Sequence, residues 1–138
     1  MKYLNNTMKL FISIFILLSA ITCEEVPFDK VYRFWVENKS DKGIVFLVSY
    51  NYPDTLIPDT YNKIRGVATG TKTPFDSHDK WEEVFSKLPA DTLSIFIFSA
   101  DTISSYDWQI IRSNYKILKR YDISLDYLNN NKGIITYP

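Results

Sequence analysis

"TLSIFIFSA", residues 92–100, is the stretch on which the reading of this chain turns. It is almost wholly apolar and rich in β-forming residues, and Ile95, Phe96, Ile97 and Phe98 follow one another without a polar break. A short apolar run of this kind, bounded by Asp91 and Asp101, has the pattern of a buried strand. It is therefore expected to be the central strand of the domain. On its N-terminal side, "SHDKWEEVFSKLP" (77–89) places Trp81, Val84, Phe85 and Leu88 at the i, i+3, i+4, i+7 spacing of a short helix. Asp79 with Glu82 three residues on has the form of a capping box, and Pro89 closes the helix.

Further upstream, "VYRFWVE" (31–37) alternates, with Tyr32, Phe34 and Val36 on one face and Arg33, Trp35 and Glu37 on the other. The turn-forming "NKSDKG" leads into "IVFLVSYNY" (44–52), so the two strands are expected to form an antiparallel hairpin with a long loop. "TYNKIRGVATGT" (60–71) holds a third, irregular strand. Downstream, "SSYDWQIIRSNY" (104–115) reads as a helix capped by Ser104 that turns Trp108, Ile111 and Tyr115 inward. "KILKRYDIS" alternates again, Ser124 caps a last helical turn, and "GIITYP" ends as a strand. The fold class expected is mainly β or α+β: a small antiparallel, sandwich-like sheet with two or three short helices. A doubly wound parallel sheet is the rival, because the last three strands each follow a helical segment. Against it, the last of these segments is too short for a crossover.

The first 22 residues are set apart. "MKYLNNTMKL" carries Lys2 and Lys9 and no acid, and an apolar run follows from Leu10 to Thr22. That run is short of the ~20 residues a spanning helix needs and has the length of a signal-peptide core. Cys23, the only cysteine, follows at once in "SAITCEEVPF". The pattern Ala20-Ile21-Thr22-Cys23 resembles a bacterial lipobox, although leucine usually stands three before the cysteine and a smaller residue just before it. Residues 1–22 are thus expected to be a signal peptide, Cys23 the site of lipidation, 23–29 a tether, and 30–138 one globular domain. An anchored protein is favoured here over a soluble exported one.

One cysteine allows no intrachain disulfide and no cysteine-based metal site. Without residues 1–22 the chain keeps 14 basic residues against 16 acidic ones, so its formal charge is −2. That near balance gives no basic footprint for nucleic acid. Aromatic residues make up 16% of the chain against only four glycines, which suits a packed globule.

"KWEEVFSKLPADTLSIFIFSADT" (80–102), "NYKILKRYDISLDYL" (114–128) and the final "ITYP" together resemble a family of small uncharacterised lipoproteins of gut Bacteroidetes. "NKSDKGIVFLVSYNYPD" (38–54) fits the same family's N-terminal half. The resemblance implies a bacterial source and an anchor at Cys23 in the outer membrane, with Glu24 and Glu25 resembling a surface-export signal. It also implies an aromatic residue before the last strand, where Gly133 stands here. No activity comes with it.

The chemical motifs are weak. "GVATGTKT" (66–73) approaches the P-loop pattern, but Thr71 takes the place of the second glycine and Pro74 stands where a helix should begin. An edge strand or turn is the better reading. His78 is the only histidine and has no nucleophile elbow beside it. Asp91 and Asp101 bracket the apolar strand without EF-hand spacing, so no cofactor, metal or catalytic residue is assigned. The candidate contact residues are Tyr52, Asp54, Asp59 and Tyr61, on a loop where Pro-Asp-Thr occurs twice and two prolines hold polar side chains outward. The function expected is a non-enzymatic binding or accessory module with a protein or glycan partner. The alternative is a small envelope hydrolase using Asp/Glu chemistry.

Overall fold

The pattern of burial along each strand sorts the strands into two sheets. β1 (Tyr32–Asn38) alternates, burying Phe34, Val36 and Asn38, whereas β2 (Ile44–Ser49) buries all six of its side chains. A strand buried on one face suits an outer sheet; one buried on both faces needs cover on both. In the computed structural model, which describes residues 30–59 and 63–138, the two strands accordingly lie in different sheets. The expected β1–β2 hairpin does not form. The 39–43 turn instead carries the chain from one sheet to the other, so that Phe34 and Val36 face Ile44, Phe46 and Val48 across a shared core.

The outer sheet has the order β4-β1-β7, with β4 at Lys72–Ser77 and β7 at Ile134–Tyr137. β4 is antiparallel to β1, whereas β7 runs parallel to it. The inner sheet is antiparallel throughout, in the order β3-β2-β5-β6, with β3 at Arg65–Val67, β5 at Thr92–Ser99 and β6 at Lys119–Ser124. β5 is central, as expected, and buries every residue from Leu93 to Phe98.

Four short helices complete the described residues. α1 (Trp81–Ser86) and α4 (Leu125–Asn130) bring Trp81, Phe85 and Leu128 to the core between the sheets. Trp81 there meets the rings of Phe34, Phe75 and Phe85 at 5.1–6.4 Å between centroids. α2 (Ala100–Ser105) and α3 (Trp108–Ser113) cover the opposite face of the inner sheet. There Val45, Leu47, Phe96 and Phe98 pack against Ile57, Ile103, Trp108 and Ile111. The unit from Val31 to Pro138 is therefore three layers deep: outer sheet, inner sheet, then helices with the 51–59 loop. The sandwich reading holds, and the doubly wound alternative fails because the helices after β5 lie on one face of an antiparallel sheet.

Several local expectations are corrected. Asp79 does not cap α1: Lys80 is the N-cap residue, and the Ser77 hydroxyl accepts the Asp79 N–H and donates to its carbonyl. The 104–115 segment is not one helix. It breaks at Tyr106, and α2 is capped by Ser99, whose hydroxyl accepts the Asp101 N–H, leaving Ser104 inside that helix. Tyr115 is 44% exposed and sits at φ +48° just past α3, so it does not point inward. Ser124 caps α4 as expected, accepting the Tyr127 N–H. The chain leaves α4 through Lys132 (φ +54°) and Gly133 (φ +71°), whose N–H groups go to the Asn129 and Leu128 carbonyls, and the left-handed φ at 133 favours glycine. An aromatic residue there would be strained.

Phe96 is fully buried under the helical layer. Phe96→Ala should cost about 3–5 kcal/mol in urea unfolding, and a loss under about 0.5 kcal/mol would mean that this face is not a packed core.

Candidate functional site

A groove of about 500 Å³ opens where the short β3 ends, lined by Val48, Tyr50, Lys63, Ile64, Arg65 and Phe75. Its origin lies in strand lengths. β3 pairs only Ile44, Val45 and Phe46 of β2, so the C-terminal half of β2 has no strand on that side. Val48 and Phe75 make an apolar floor, while Tyr50 remains 38% exposed. Burial of the rest of its ring pushes the Tyr50 phenol pKa up. The Arg65 guanidinium stacks 5.3 Å from the Phe75 ring centroid and donates to the Pro74 carbonyl at 3.2 Å. Among the described residues neither Lys63 nor Arg65 forms an ion pair.

The loop singled out in the sequence lies on the helical layer. Ile57 is buried in the second core and pins it there. The Asp54 carboxylate accepts the Leu56 N–H at 2.8 Å, closing a local turn. The Asp59 carboxylate accepts from Arg112, whose Nε also donates to the Ile57 carbonyl at 2.8 Å. Trp108 Nε1 donates to the Asp59 carbonyl at 3.2 Å. Tyr52 is partly exposed. Tyr61, Cys23 and the 1–29 segment lie outside the described residues. Asp54 and Asp59 are thus brought into structural bonds of the loop, and the groove is built from residues the sequence reading did not single out. The available signal was "KIR" (63–65), two cations flanking an apolar residue next to a turn.

The P-loop look-alike is β3, a turn with Gly70 at φ +70°, and the edge strand β4. Lys72 places its ammonium 4.9 Å over the Trp35 ring, on the solvent face of the outer sheet. Arg33 lies over the same ring at 5.5 Å and forms a two-pronged pair with Asp76, at 2.6 and 3.2 Å. This platform satisfies its own charges. His78 is exposed at the end of β4. Asp91 and Asp101 stand at opposite ends of the eight-residue β5, about 25 Å apart at strand rise, and cannot share an ion. Among the described residues no group of three or more candidate ligands could hold a metal. A second, shallower groove of about 320 Å³ includes Glu82, Asp91 and Asp126, all exposed.

No family model matches the chain, and neither the curated proteins nor the solved structures include a match.

Arg112→Ala removes the donors to the Ile57 carbonyl and the Asp59 carboxylate. Amide exchange in the 51–59 loop should quicken severalfold while β5 stays protected, since loops open locally at lower cost than core strands. Unchanged exchange in the loop would show that Arg112 does not hold it.

The Arg33 guanidinium, chiefly through its hydrogen bond, holds Asp76 below the usual carboxylate range. Its contribution is present at pH values above the unfolded carboxylate's pKa and is lost as pH falls through the lower folded value. Asp76→Asn should flatten that part of the acid limb slightly, because the pair is exposed. An acid limb identical to wild type in thermal unfolding would mean the pair adds nothing.

Proposed function

We propose that this chain is a lipid-anchored protein of the bacterial cell envelope, held at the outer membrane through Cys23, and that its domain is a non-enzymatic binding module. The groove beside β3 supports the binding part of this reading. It combines an apolar floor, a half-exposed tyrosine and two cations that form no ion pair among the described residues, on a scaffold packed on both sides of its inner sheet. Binding sites commonly pair such apolar linings with a few placed polar groups. The anchor rests on the lipobox-like Ala20–Cys23 stretch and on the resemblance to small Bacteroidetes lipoproteins. Among the described residues no helix is long and apolar enough to cross a membrane.

The hydrolase alternative rests on the acid-bearing groove between α1 and α4. Glu82, Asp91 and Asp126 are all exposed there, whereas a carboxylic acid that must hold a proton at neutral pH is raised by desolvation. Binding is the better-supported function.

Cells expressing the wild type or Cys23→Ser should be fed an alkyne fatty acid. The wild type is expected to take up label and stay with the membrane after salt washing, since two acyl-type chains anchor firmly. Cys23→Ser should remain an unlabelled precursor. Equal labelling of the two proteins would refute the anchor.

A further inference from the structure

The groove beside β3 has a one-sided chemistry. Its polar lining consists of the Lys63 ammonium, the Arg65 guanidinium and the Tyr50 hydroxyl, with no carboxylate among the lining residues. Asp76 is a charge of opposite sign that bears on Arg65, and Arg33 already engages both of that carboxylate's oxygens. Five cations elsewhere are paired, Arg33 by Asp76, Lys39 by Glu37, Lys87 by Asp79, Arg112 by Asp59 and Arg120 by Asp122, and Lys72, Lys116 and Lys119 lie over aromatic rings. Among the described residues Lys63 and Arg65 form no ion pair, and both line the groove. Beside them lies the half-exposed Tyr50, and Arg65 is already fixed by its bond to Pro74 and by stacking on Phe75, whose ring also stacks with Phe34.

Building on the binding reading, we propose that this groove takes a small ligand carrying a carboxylate on a six-membered ring. The ring lies against Tyr50 while the carboxylate meets Arg65 and Lys63. A guanidinium held in place loses little freedom on pairing, and its fork matches two carboxylate oxygens. A volume of about 500 Å³ falls within the ordinary range for small-molecule sites. The ring has two possible sources, a sugar or an aromatic acid.

The full chain, purified in detergent, should be titrated by calorimetry with galacturonate, benzoate, galactose and acetate. At least one ring carboxylate is expected to bind with Kd below about 1 mM. Galactose, with a ring but no charge, and acetate, with charge but no ring, should each bind at least about tenfold more weakly. Whichever of galacturonate and benzoate binds more tightly identifies the source of the ring. Binding should weaken with added salt, and Lys63→Gln should weaken it about tenfold. Tyr50→Phe should keep the ring contact and lose the hydroxyl's share. Galactose binding as tightly as galacturonate, with loss in Tyr50→Ala, would overturn the carboxylate claim and leave the groove a binding site. Ring-carboxylate binding unchanged in both Lys63→Gln and Tyr50→Phe would overturn the groove itself. Absence of binding by both ring carboxylates up to about 10 mM would also overturn the proposal. Acylation at Cys23 is read separately and is untouched by these outcomes.

Discussion

β2 and β5 bury their side chains on both faces, and much of the architecture follows from that. From Ile44 to Ser49 and from Leu93 to Phe98 every residue is buried. Each large apolar side chain buried contributes about 1.5–3 kcal/mol, so a pair of strands like these cannot remain with one face wet. Two covers are needed. The outer sheet supplies one through Phe34, Val36 and Ile135, with α1 and α4 adding Trp81, Phe85 and Leu128. The loop at Ile57 and the helices α2 and α3 supply the other. The loop is therefore a structural lid on Phe96 and Phe98 as well as a surface feature, which is why Arg112 and Trp108 hold its backbone.

Splitting consecutive strands between two sheets exposes backbone at the crossing, and Asn38 resolves that. Its side chain is fully buried, with Nδ2 donating to the Lys42 and Val67 carbonyls and Oδ1 accepting from the Ser40 N–H and hydroxyl. Its own N–H goes to Thr71 and its carbonyl receives Gly70. One amide thus joins the end of β1, the 39–43 turn, the end of β3 and the 68–71 turn. A buried polar group is tolerable only when satisfied to this degree. The sheet edges are bridged in the same way: Thr73 donates to the Gly66 carbonyl on one side, and the Tyr121 hydroxyl donates to the Thr136 carbonyl on the other.

What was legible in the sequence is what one element can encode by itself. The apolar run of β5, the alternation of β1, the stripe of α1 and the Ser124 cap each need only local spacing. Pairing was not legible from adjacency, because β1 and β2 are neighbours in sequence but partners only across the core. The difference was nonetheless written in their patterns, alternating in one and continuous in the other. The break between α2 and α3 was missed because Ser99 belongs to a strand by composition yet caps a helix, and because Tyr106 adopts extended backbone where helical spacing would carry on. β4 was hidden by Pro74, which an edge strand accepts. Of the site, the chosen acids were legible as turn formers, and turn formation is where the structure uses Asp54. The groove needs residues 48, 50, 63–65 and 75 together, a set that only the register can assemble.

The groove and the core are two consequences of one short strand. Had β3 extended to pair the whole of β2, Val48 and Tyr50 would lie beneath a neighbour and no opening would exist. Because β3 begins at Arg65, opposite Phe46, Lys63 and Ile64 stand just before it and line the opening. The turn at its other end directs β4 back along the outer sheet, which sets Phe75 opposite Phe34 in register and beneath Arg65. The cation, the ring it stacks on and the exposed tyrosine are therefore fixed by the same pairings that close the sandwich. A ligand entering there would meet a surface already arranged, with Lys63 alone among the charged groups left to order. That is the condition under which a small contact area yields useful affinity.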